Sequence, residues 1–313
     1  MYDTYKPFSL CFANGKVQRS DMNLQAIVND FLTAKSLTKS PNTINDYSLT
    51  MRRVIKFFGC DRDFSTLTAS DIRDFLSTIP GCQKNVLNAS IAVSSLYTWA
   101  VNDGIVQTHI MRMIEFPKPD IHVINPFTEN DVKKMLNFNY KYENFKVRNR
   151  AIILLLLDTG IRASELCGIE IAAIREAYVT VLGKGRKERG VPISEKVMRA
   201  LLEYLHVRTN SKNSIVQQER YLFVSRTGKQ MSRLSLLKMI HHLGIVTGVD
   251  KAHPHRFRHT FAVNYLLNGG DPYTLQRILG HTTMDMVSRY LDFTQSDLVK
   301  VHRRSSPVSN WDL

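Results

Sequence analysis

The segment Asp-Thr-Gly-Ile-Arg-Ala-Ser-Glu-Leu, residues 158–166, places an arginine in a turn after a predicted buried helix. Glu165 follows Arg162 by three residues, close enough for its carboxylate to hold the guanidinium. A guanidinium held in this way suits a phosphate oxygen, because its planar donors match phosphate geometry. The alternative is an ordinary Arg–Glu pair at a helix start, and the segment taken alone favours that alternative.

A predicted β-hairpin turn carries a cluster of cationic side chains. Its members are Lys184, Arg186, Lys187 and Arg189. The GxxxxGK[ST] pattern of a phosphate-binding P-loop is absent, so the cluster does not indicate nucleotide binding. Taken alone, it predicts a charged surface turn or contacts with a phosphate backbone.

Three histidines occur within residues 253–259, a density that raises the question of a metal site. The HExxH pattern of zinc enzymes is missing, and the two arginines beside the histidines would repel a dication. His255 and Arg258 are three residues apart and share one helical face, which places a proton donor or acceptor beside a permanent cation. That pair suits a phosphate oxygen.

A tyrosine completes this set of groups. Tyr290 follows the turn Leu279-Gly280-His281 by nine residues. A lone tyrosine at a helix end is usually a core or surface residue, but this one accompanies arginines, a lysine and histidines that suit metal-free phosphodiester transesterification. In that reaction arginines neutralise the charge of the phosphorane, histidine and lysine transfer protons, and tyrosine supplies the nucleophile. The sequence lacks a carboxylate cluster suited to a two-metal nuclease.

The chain resembles the tyrosine recombinase, or phage integrase, family in five motifs that follow the family's order. They read Thr-Gly-Ile-Arg-x-Ser-Glu-Leu, Gly-Lys-Gly-Arg-Lys-Glu-Arg, His-x-x-Arg-His-Thr-Phe-Ala, Leu-Gly-His and Arg-Tyr. The resemblance is strong over residues 125–295. Residues 22–105 resemble, more loosely, the helical core-DNA-binding domain of these enzymes. Length and architecture resemble the short Xer and transposon-integrase type, since residues 1–20 are too few for a separate arm-site-binding domain.

The resemblance implies roles for the groups that bind the phosphate. Arg162 and Arg258 correspond to the two catalytic arginines that clamp the scissile phosphate. His281 corresponds to the histidine that hydrogen-bonds a non-bridging oxygen, and Glu165 is a supporting residue. Arg186, Lys187 and Arg256 are expected to contact DNA.

The resemblance also implies roles for the groups that move protons and form bonds. Tyr290 is the expected nucleophile, which forms a 3′-phosphotyrosyl bond and frees a 5′-hydroxyl. Lys184 is expected to protonate the leaving 5′ oxygen, and His255 to act as general acid/base near the nucleophile. His253 lies beside His255, and the spacing to Arg258 selects His255.

The implied function is site-specific DNA recombination, in which double-stranded DNA is cut, exchanged through a Holliday junction and rejoined. We expect a specific core site, a homo-tetramer on DNA, accessory DNA-bending or excisionase proteins as further partners, and neither a metal nor another cofactor. One alternative is a type IB topoisomerase, which uses a similar active site to relax DNA without pairing two sites. The other is a non-catalytic DNA-binding regulator, which the intact set of reactive residues disfavours.

The elements that position these groups fall into two parts. Apolar residues at helical spacing follow Leu24, and Ser40-Pro41 forms a helix start with serine as the N-cap. Thr68 or Ser70 caps a third helix, and a fourth runs from about Gln83. We therefore predict a flexible N-terminal arm over residues 1–20 and a helical core-DNA-binding domain over residues 21–115.

The second part begins after a proline-rich linker predicted at residues 116–126. Its catalytic domain, residues 127–295, is predicted to contain a core helix at 148–157, a hairpin of strands 178–181 and 191–193, and a short strand at 221–224. Residues 296–313 form a predicted tail that docks on a neighbouring protomer. The predicted fold is mainly α with a small β-hairpin sheet, arranged as a two-domain DNA clamp.

The composition agrees with a polyanionic partner. The 313 residues carry a net charge of +14, of which +12 falls on residues 121–313. The longest apolar run is too short to cross a bilayer, and the N-terminus lacks signal-peptide character, so no membrane association is expected. The four cysteines lie far apart and are expected to be free, mostly buried thiols in a reducing compartment. We therefore expect a cytoplasmic protein associated with the nucleoid.

Overall fold

The computed structural model describes residues 12–13, 16–17, 23–117, 125–183, 187–211 and 214–291. The chain divides into two compact units, residues 1–122 and 123–313. A mainly helical fold with a small antiparallel hairpin is confirmed. The part of the chain that is described contains no helix that combines the length and apolar character of a membrane span.

The first unit contains a short ladder of β1 (Phe12–Ala13) with β2 (Lys16–Val17), and its described residues then form four α-helices. The helices are α1 (Leu24–Ser36), α2 (Pro41–Phe58), α3 (Ala69–Ser77) and α4 (Gln83–Asn102). Ser40 caps α2 by accepting a hydrogen bond from the Thr43 amide, and Thr68 forms a capping box with Asp71 on α3. Their apolar faces meet in one core that includes Phe31, Phe64 and Phe75.

The second unit is built around a buried helix. Its elements are α5 (Glu129–Leu136), α6 (Glu143–Thr159), α7 (Ala163–Cys167), β3 (Tyr178–Leu182), β4 (Glu188–Pro192), α8 (Glu195–Thr209), α9 (Ser214–Gln218), α10 (Arg233–Thr247), α11 (Pro254–Leu267), α12 (Pro272–Leu279) and α13 (Asp285–Leu291). Helix α6 carries apolar residues on nearly every face and packs against α8 and α11, so it forms the centre of the main core. It begins five residues before the predicted core helix.

The hairpin β3–β4 pairs in the register Val179↔Val191 and Leu182↔Glu188. Val179, Val181 and Val191 are buried in the main core. Because alternate residues of a strand face opposite sides, the face of the hairpin that carries these valines packs against the core of the second unit.

A separate small cluster lies beside the main core. It is formed by side chains from α11, α12 and α13: Ala262, Val263, Leu266, Leu275, Leu279, Val287 and Tyr290. We call it the satellite core.

Two sequence predictions about local structure are wrong. Residues 221–224 do not form a strand; Tyr221 and Val224 each make only an isolated bridge. The carbonyls of Tyr221 and Leu222 accept hydrogen bonds from the buried Arg208 guanidinium, so a side chain takes the place of a strand partner. The cysteines are not mostly buried: Cys167 is buried, but Cys60 and Cys82 are exposed, all three are free, and Cys11 lies outside the described residues.

Candidate active site

A left-handed glycine directs the chain from α6 into the site. Gly160 caps α6 with a φ of 60°. A Cβ at this position would lie 2.5 Å from Cδ1 of Phe261 and 2.9 Å from Cδ2 of Leu279. Only glycine fits this conformation and this space. The turn that follows places Arg162 at the N-cap of α7.

Arg162 and Glu165 make the contact that their spacing predicts. Nη1 of Arg162 donates to Oε1 of Glu165 at 2.9 Å, and the Arg162 amide donates to Oε2 at 2.8 Å. The second terminal nitrogen, Nη2, donates to the Gly280 carbonyl at 3.1 Å. The Arg162 side chain retains 35% of its surface, whereas Glu165 is buried.

The cationic hairpin divides into residues with different environments. Lys184 and Arg186 lie outside the described residues, and Lys187 is exposed. Arg189 instead turns inward and binds both oxygens of Glu165, with Nη1 to Oε1 at 3.0 Å and Nη2 to Oε2 at 2.9 Å. Burial raises the pKa of the Glu165 carboxyl, but the hydrogen bonds from Arg189 and Arg162 outweigh it, so the pKa lies below its usual value.

Arg258 forms the buried centre of the site. Its Nη1 donates to the Gly160 carbonyl and its Nη2 to the Leu279 carbonyl, both at 2.9 Å. Burial and the nearby Arg162 lower the pKa of this guanidinium to about 10, so it stays charged at neutral pH. Among the described residues it forms no ion pair of its own, so an anionic ligand would provide the missing counter-charge.

His281 lies against Arg258. Its Nε2 is 2.5 Å from Nη2 of Arg258, and because a guanidinium only donates, Nε2 must accept and Nδ1 must carry the proton of the neutral ring. Nδ1 is buried and has no hydrogen-bond partner in the described part of the chain. Burial, Arg258 and Arg162 lower the pKa of His281 to about 4. The site therefore contains a buried N–H donor beside two arginines.

The hydroxyl of Tyr290 meets a histidine that the sequence analysis did not select. The Tyr290 oxygen lies 3.0 Å from Nδ1 of His259, the residue after Arg258 on α11. Burial, followed by the charges of His255 and His253, lowers the pKa of His259 to about 4. Burial raises the pKa of Tyr290, although Arg258 and Arg289 act in the opposite direction. A neutral histidine thus meets a protonated tyrosine.

The other two histidines of the motif have different surroundings. His255 is exposed, and its ring lies edge-on to His259 with centroids 4.3 Å apart. His253 is the N-cap of α11, where its Nδ1 accepts from the Arg256 amide. The only signal for His259 in the sequence was its place in the His-x-x-Arg-His motif.

The prediction that Arg256 contacts DNA does not fit its environment. Its side chain is buried, with Nε donating to the Asn125 carbonyl at 2.9 Å and Nη1 to the Asp250 carbonyl. The guanidinium also lies 4.1 Å from the ring centroid of Phe127. These contacts join the start of the second unit to α11, so we interpret Arg256 as a structural residue and assign it no DNA contact.

The site thus brings together Arg162, Arg258, His281, Glu165, His255 and Tyr290, and adds Arg189 and His259. Over the described ranges, no group of three or more histidine, cysteine or carboxylate side chains has the geometry to hold a metal ion. Two guanidinium groups, a buried N–H donor and a tyrosine hydroxyl on a neutral histidine can bind a phosphodiester and attack its phosphorus.

The sequence and the fold have known relatives. Residues 125–296 match the phage integrase family. Tyrosine recombinase XerC of Thermodesulfovibrio yellowstonii is 27% identical over 300 residues, which cover 93% of this chain and 99% of the relative. Tyrosine recombinase XerD of Halalkalibacterium halodurans is 27% identical over 279 residues, covering 86% and 92%.

Two solved structures share the fold. The XerH site-specific recombinase, in a post-cleavage complex with a palindromic difH substrate, matches with a TM-score of 0.74 and 18% identity, covering 91% of this chain and 97% of that chain. The Tn1549 transposon integrase, in complex with circular intermediate DNA, matches with a TM-score of 0.72 and 19% identity, covering 88% and 99%.

Proposed function

This chain belongs to the phage integrase family, and we propose that it is a tyrosine-type site-specific recombinase that cuts and rejoins double-stranded DNA. The relatives named XerC and XerD match it over most of their length, which supports this activity. Cleavage forms a 3′-phosphotyrosyl bond, and two rounds of strand exchange proceed through a Holliday junction. Because its substrate is DNA, the enzyme is proposed to act with the nucleoid in the cytoplasm.

One observation carries the proposal. Arg258 and His259 are neighbours on α11, and one contacts the phosphate-binding groups while the other contacts the nucleophile. Arg258 joins the cationic cluster with His281, whereas His259 contacts the hydroxyl of Tyr290. A phosphate bound by that cluster would therefore lie beside the nucleophile, which is the proximity that an attack requires.

In the proposed reaction the scissile phosphate binds Arg162 and Arg258, and the Nδ1–H of His281 donates to a non-bridging oxygen. The Tyr290 oxygen attacks phosphorus as its proton passes to the histidine pair His255–His259. The bond to the 5′ oxygen of the next nucleotide breaks at the same centre.

Lys184 protonates that leaving oxygen, so that charge does not build up on an alkoxide. Rejoining reverses these steps with a 5′-hydroxyl of the partner strand as nucleophile. Glu165 supports Arg162, and the reaction needs no metal ion because the charge stabilisation comes from side chains.

DNA contacts outside the reacting centre are assigned by charge. Arg186 and Lys187 belong to the cationic hairpin and are proposed to contact the phosphate backbone. Accessory DNA-bending or excisionase proteins are proposed as further partners of the assembled complex.

The proposed assembly is a homo-tetramer on DNA, closed by exchange of residues 296–313 between neighbours, a segment outside the described residues. A head-to-tail exchange closes into a ring, which recombination of two sites requires. A chain ending at Thr294 should bind a single site nearly as well as the full chain, but lose cooperative occupancy and strand exchange. Recombination by the truncated chain at the full rate would overturn this assembly.

The activity can be tested with a method that finds the target site itself. DNA of the source strain is sheared, lightly nicked with DNase and incubated with the full chain in EDTA. Nicks near a scissile phosphate release the short downstream strand after cleavage and so trap the covalent adduct. SDS-resistant protein–DNA complexes are then collected on a filter and sequenced.

We expect one or a few sequences to be strongly enriched, with each strand joined to the protein through a 3′-phosphate. Tyr290→Phe is the matched control, because it keeps the ring and its packing but lacks the nucleophilic oxygen. It should bind the recovered duplex with an affinity similar to the native chain and form no adduct. Adducts in this variant, or none with the native chain, would contradict the proposal; adducts without enrichment of a sequence would favour a type IB topoisomerase.

A further inference from the structure

We propose that Arg189 is a positioning residue that keeps Arg162 available to the scissile phosphate by binding the other side of the Glu165 carboxylate. This inference rests on the function proposed above. Arg189 belongs by sequence to the cationic hairpin, but its guanidinium does not remain at the surface. Its side chain keeps only 16% of its exposed area, compared with 35% for Arg162.

The two arginines share one carboxylate unequally. Arg189 binds it through two parallel hydrogen bonds, one to each oxygen of Glu165. The Arg162 side chain makes a single hydrogen bond to Oε1, while Oε2 is taken by the Arg162 amide. Each carboxylate oxygen therefore already accepts two hydrogen bonds. The Arg162 guanidinium cannot form its own two-bond pair with Glu165 while Arg189 is present.

Arg189 is itself held from a second direction. Its Nε donates to the Ile278 carbonyl at 2.9 Å and its Nη2 lies 3.4 Å from the Leu279 carbonyl, at the C-terminal end of α12. These carbonyls carry the negative end of the helix dipole, which favours a cation there. Gly280 follows with a φ of 64°, and a Cβ on it would lie 3.0 Å from Cζ of Arg189. The guanidinium thus has one well-defined place.

The consequence follows from the burial of Glu165. Without Arg189, a carboxylate that is 3% exposed in its side chain would lose two charge-assisted hydrogen bonds. Leaving such a charge poorly paired is costly, and Arg162 is the cation already in contact. Arg162 would rotate into a two-bond pair with Glu165 and leave both the Gly280 carbonyl and the phosphate. Loss of Arg189 would therefore disable Arg162, with which Arg189 shares the Glu165 carboxylate but forms no hydrogen bond.

This mechanism makes a distinctive prediction for a double variant. Arg189→Met should slow adduct formation on the duplex recovered in the trapping experiment by about 100-fold, the scale expected for misplacing a reacting group by about 1 Å. Adding Glu165→Gln should restore at least about 10-fold of that loss, because a neutral amide no longer attracts Arg162. A residue with only a structural role would give the opposite result, since a second buried substitution would lower activity further.

The experiment measures single-turnover adduct formation with a synthetic nicked duplex of the recovered sequence. It compares the native chain, Arg189→Met, Glu165→Gln and the double variant, with equilibrium binding and thermal unfolding recorded for each. Arg226→Met is the matched control, because Arg226 is an exposed arginine of the same unit, and its rate should stay within about 2-fold of native. Arg189→Lys, which keeps the charge but not the planar fork, should be intermediate.

A double variant no faster than Arg189→Met, with both folded, would overturn the inference. If Arg189→Met fails to fold, Arg189→Lys is compared with the double variant Arg189→Lys/Glu165→Gln. A double variant that forms adducts no faster than Arg189→Lys then overturns the inference. Absence of adducts with the native chain is a different result, because it contradicts the proposed function itself.

Discussion

Acid should destabilise the second unit through His281. Burial, with the nearby Arg258 and Arg162 and the weaker influences of His255 and Arg189, lowers the pKa of His281 from its ordinary 6.5 to about 4. Between these two pH values the unfolded chain binds a proton at this residue that the folded chain excludes. The stability contributed by the neutral ring is therefore complete above pH 6.5 and is lost as the pH falls toward 4.

The size of the effect follows from the two pKa values. With about 6.5 in the unfolded chain and about 4 in the folded chain, the free energy of unfolding should fall by about 2 kcal/mol between pH 7.5 and pH 5 on account of His281 alone. The carboxyl of Glu165, whose pKa is lowered, titrates below this window. His281→Asn removes the titrating ring, so the variant should lose about 2 kcal/mol less than the native chain over the same interval.

Urea unfolding of the full chain at pH 7.5 and pH 5, followed by far-ultraviolet circular dichroism, measures this difference. The two units need separate transitions in the fit, because a two-unit chain need not unfold in one step. The change in the free energy of unfolding between the two pH values is compared for the native chain and the variant. Contributions from groups that titrate in both proteins cancel in this comparison. An equal loss in native chain and His281→Asn would refute the reasoning, because it would mean that His281 takes up its proton as readily folded as unfolded.

Further outcomes follow from the site. Lys184→Ala should slow cleavage of a normal duplex by about 100-fold. It should have little effect on a duplex with a 5′-bridging sulfur, because a thiolate leaves without protonation. Equal loss on both substrates would mean that Lys184 only contacts the DNA backbone. Cleavage should persist in excess EDTA, and an activity restored only by magnesium at constant ionic strength would count against the side-chain mechanism. Gly160→Ala should lower the free energy of unfolding by about 3 kcal/mol or more. Gly248 has a similar φ of 66°, but a Cβ there would have nothing within 4 Å, so Gly248→Ala should lower it by only about 1 kcal/mol. Equal losses in urea unfolding would contradict the proposed steric clash with Phe261.

The sequence was informative where the relevant contacts are local. Ser40 caps its helix as predicted, and Thr68 is the one of the two candidates, Thr68 and Ser70, that caps α3, because a cap depends on residues three positions away. The hydrogen bond between Arg162 and Glu165 is of the same kind. Helix caps and helical periodicity depend on residues within about one turn of each other, so they can be recognised in the sequence without knowledge of the tertiary structure.

The contacts that the sequence analysis missed join distant segments. Arg189 is 24 residues from Glu165, and His259 is 31 residues from Tyr290. Arg256 was expected to contact DNA, but its side chain is buried. One of its partners, the Asn125 carbonyl, lies 131 residues away in the sequence, and no local pattern predicts a contact over that distance.

The position of the nucleophile in the satellite core has a consequence for how cleavage is controlled. Tyr290 packs with six apolar residues of α11, α12 and α13, separately from the main core around α6. Displacing α13 would disturb these few contacts and leave the central helix intact, so it belongs to the local openings whose free energy lies below that of global unfolding. The amides of α13 should therefore exchange with solvent much faster than those of α6. An enzyme built this way can withdraw its reactive hydroxyl without unfolding, and substitutions among those six apolar residues can adjust how often the hydroxyl is in place.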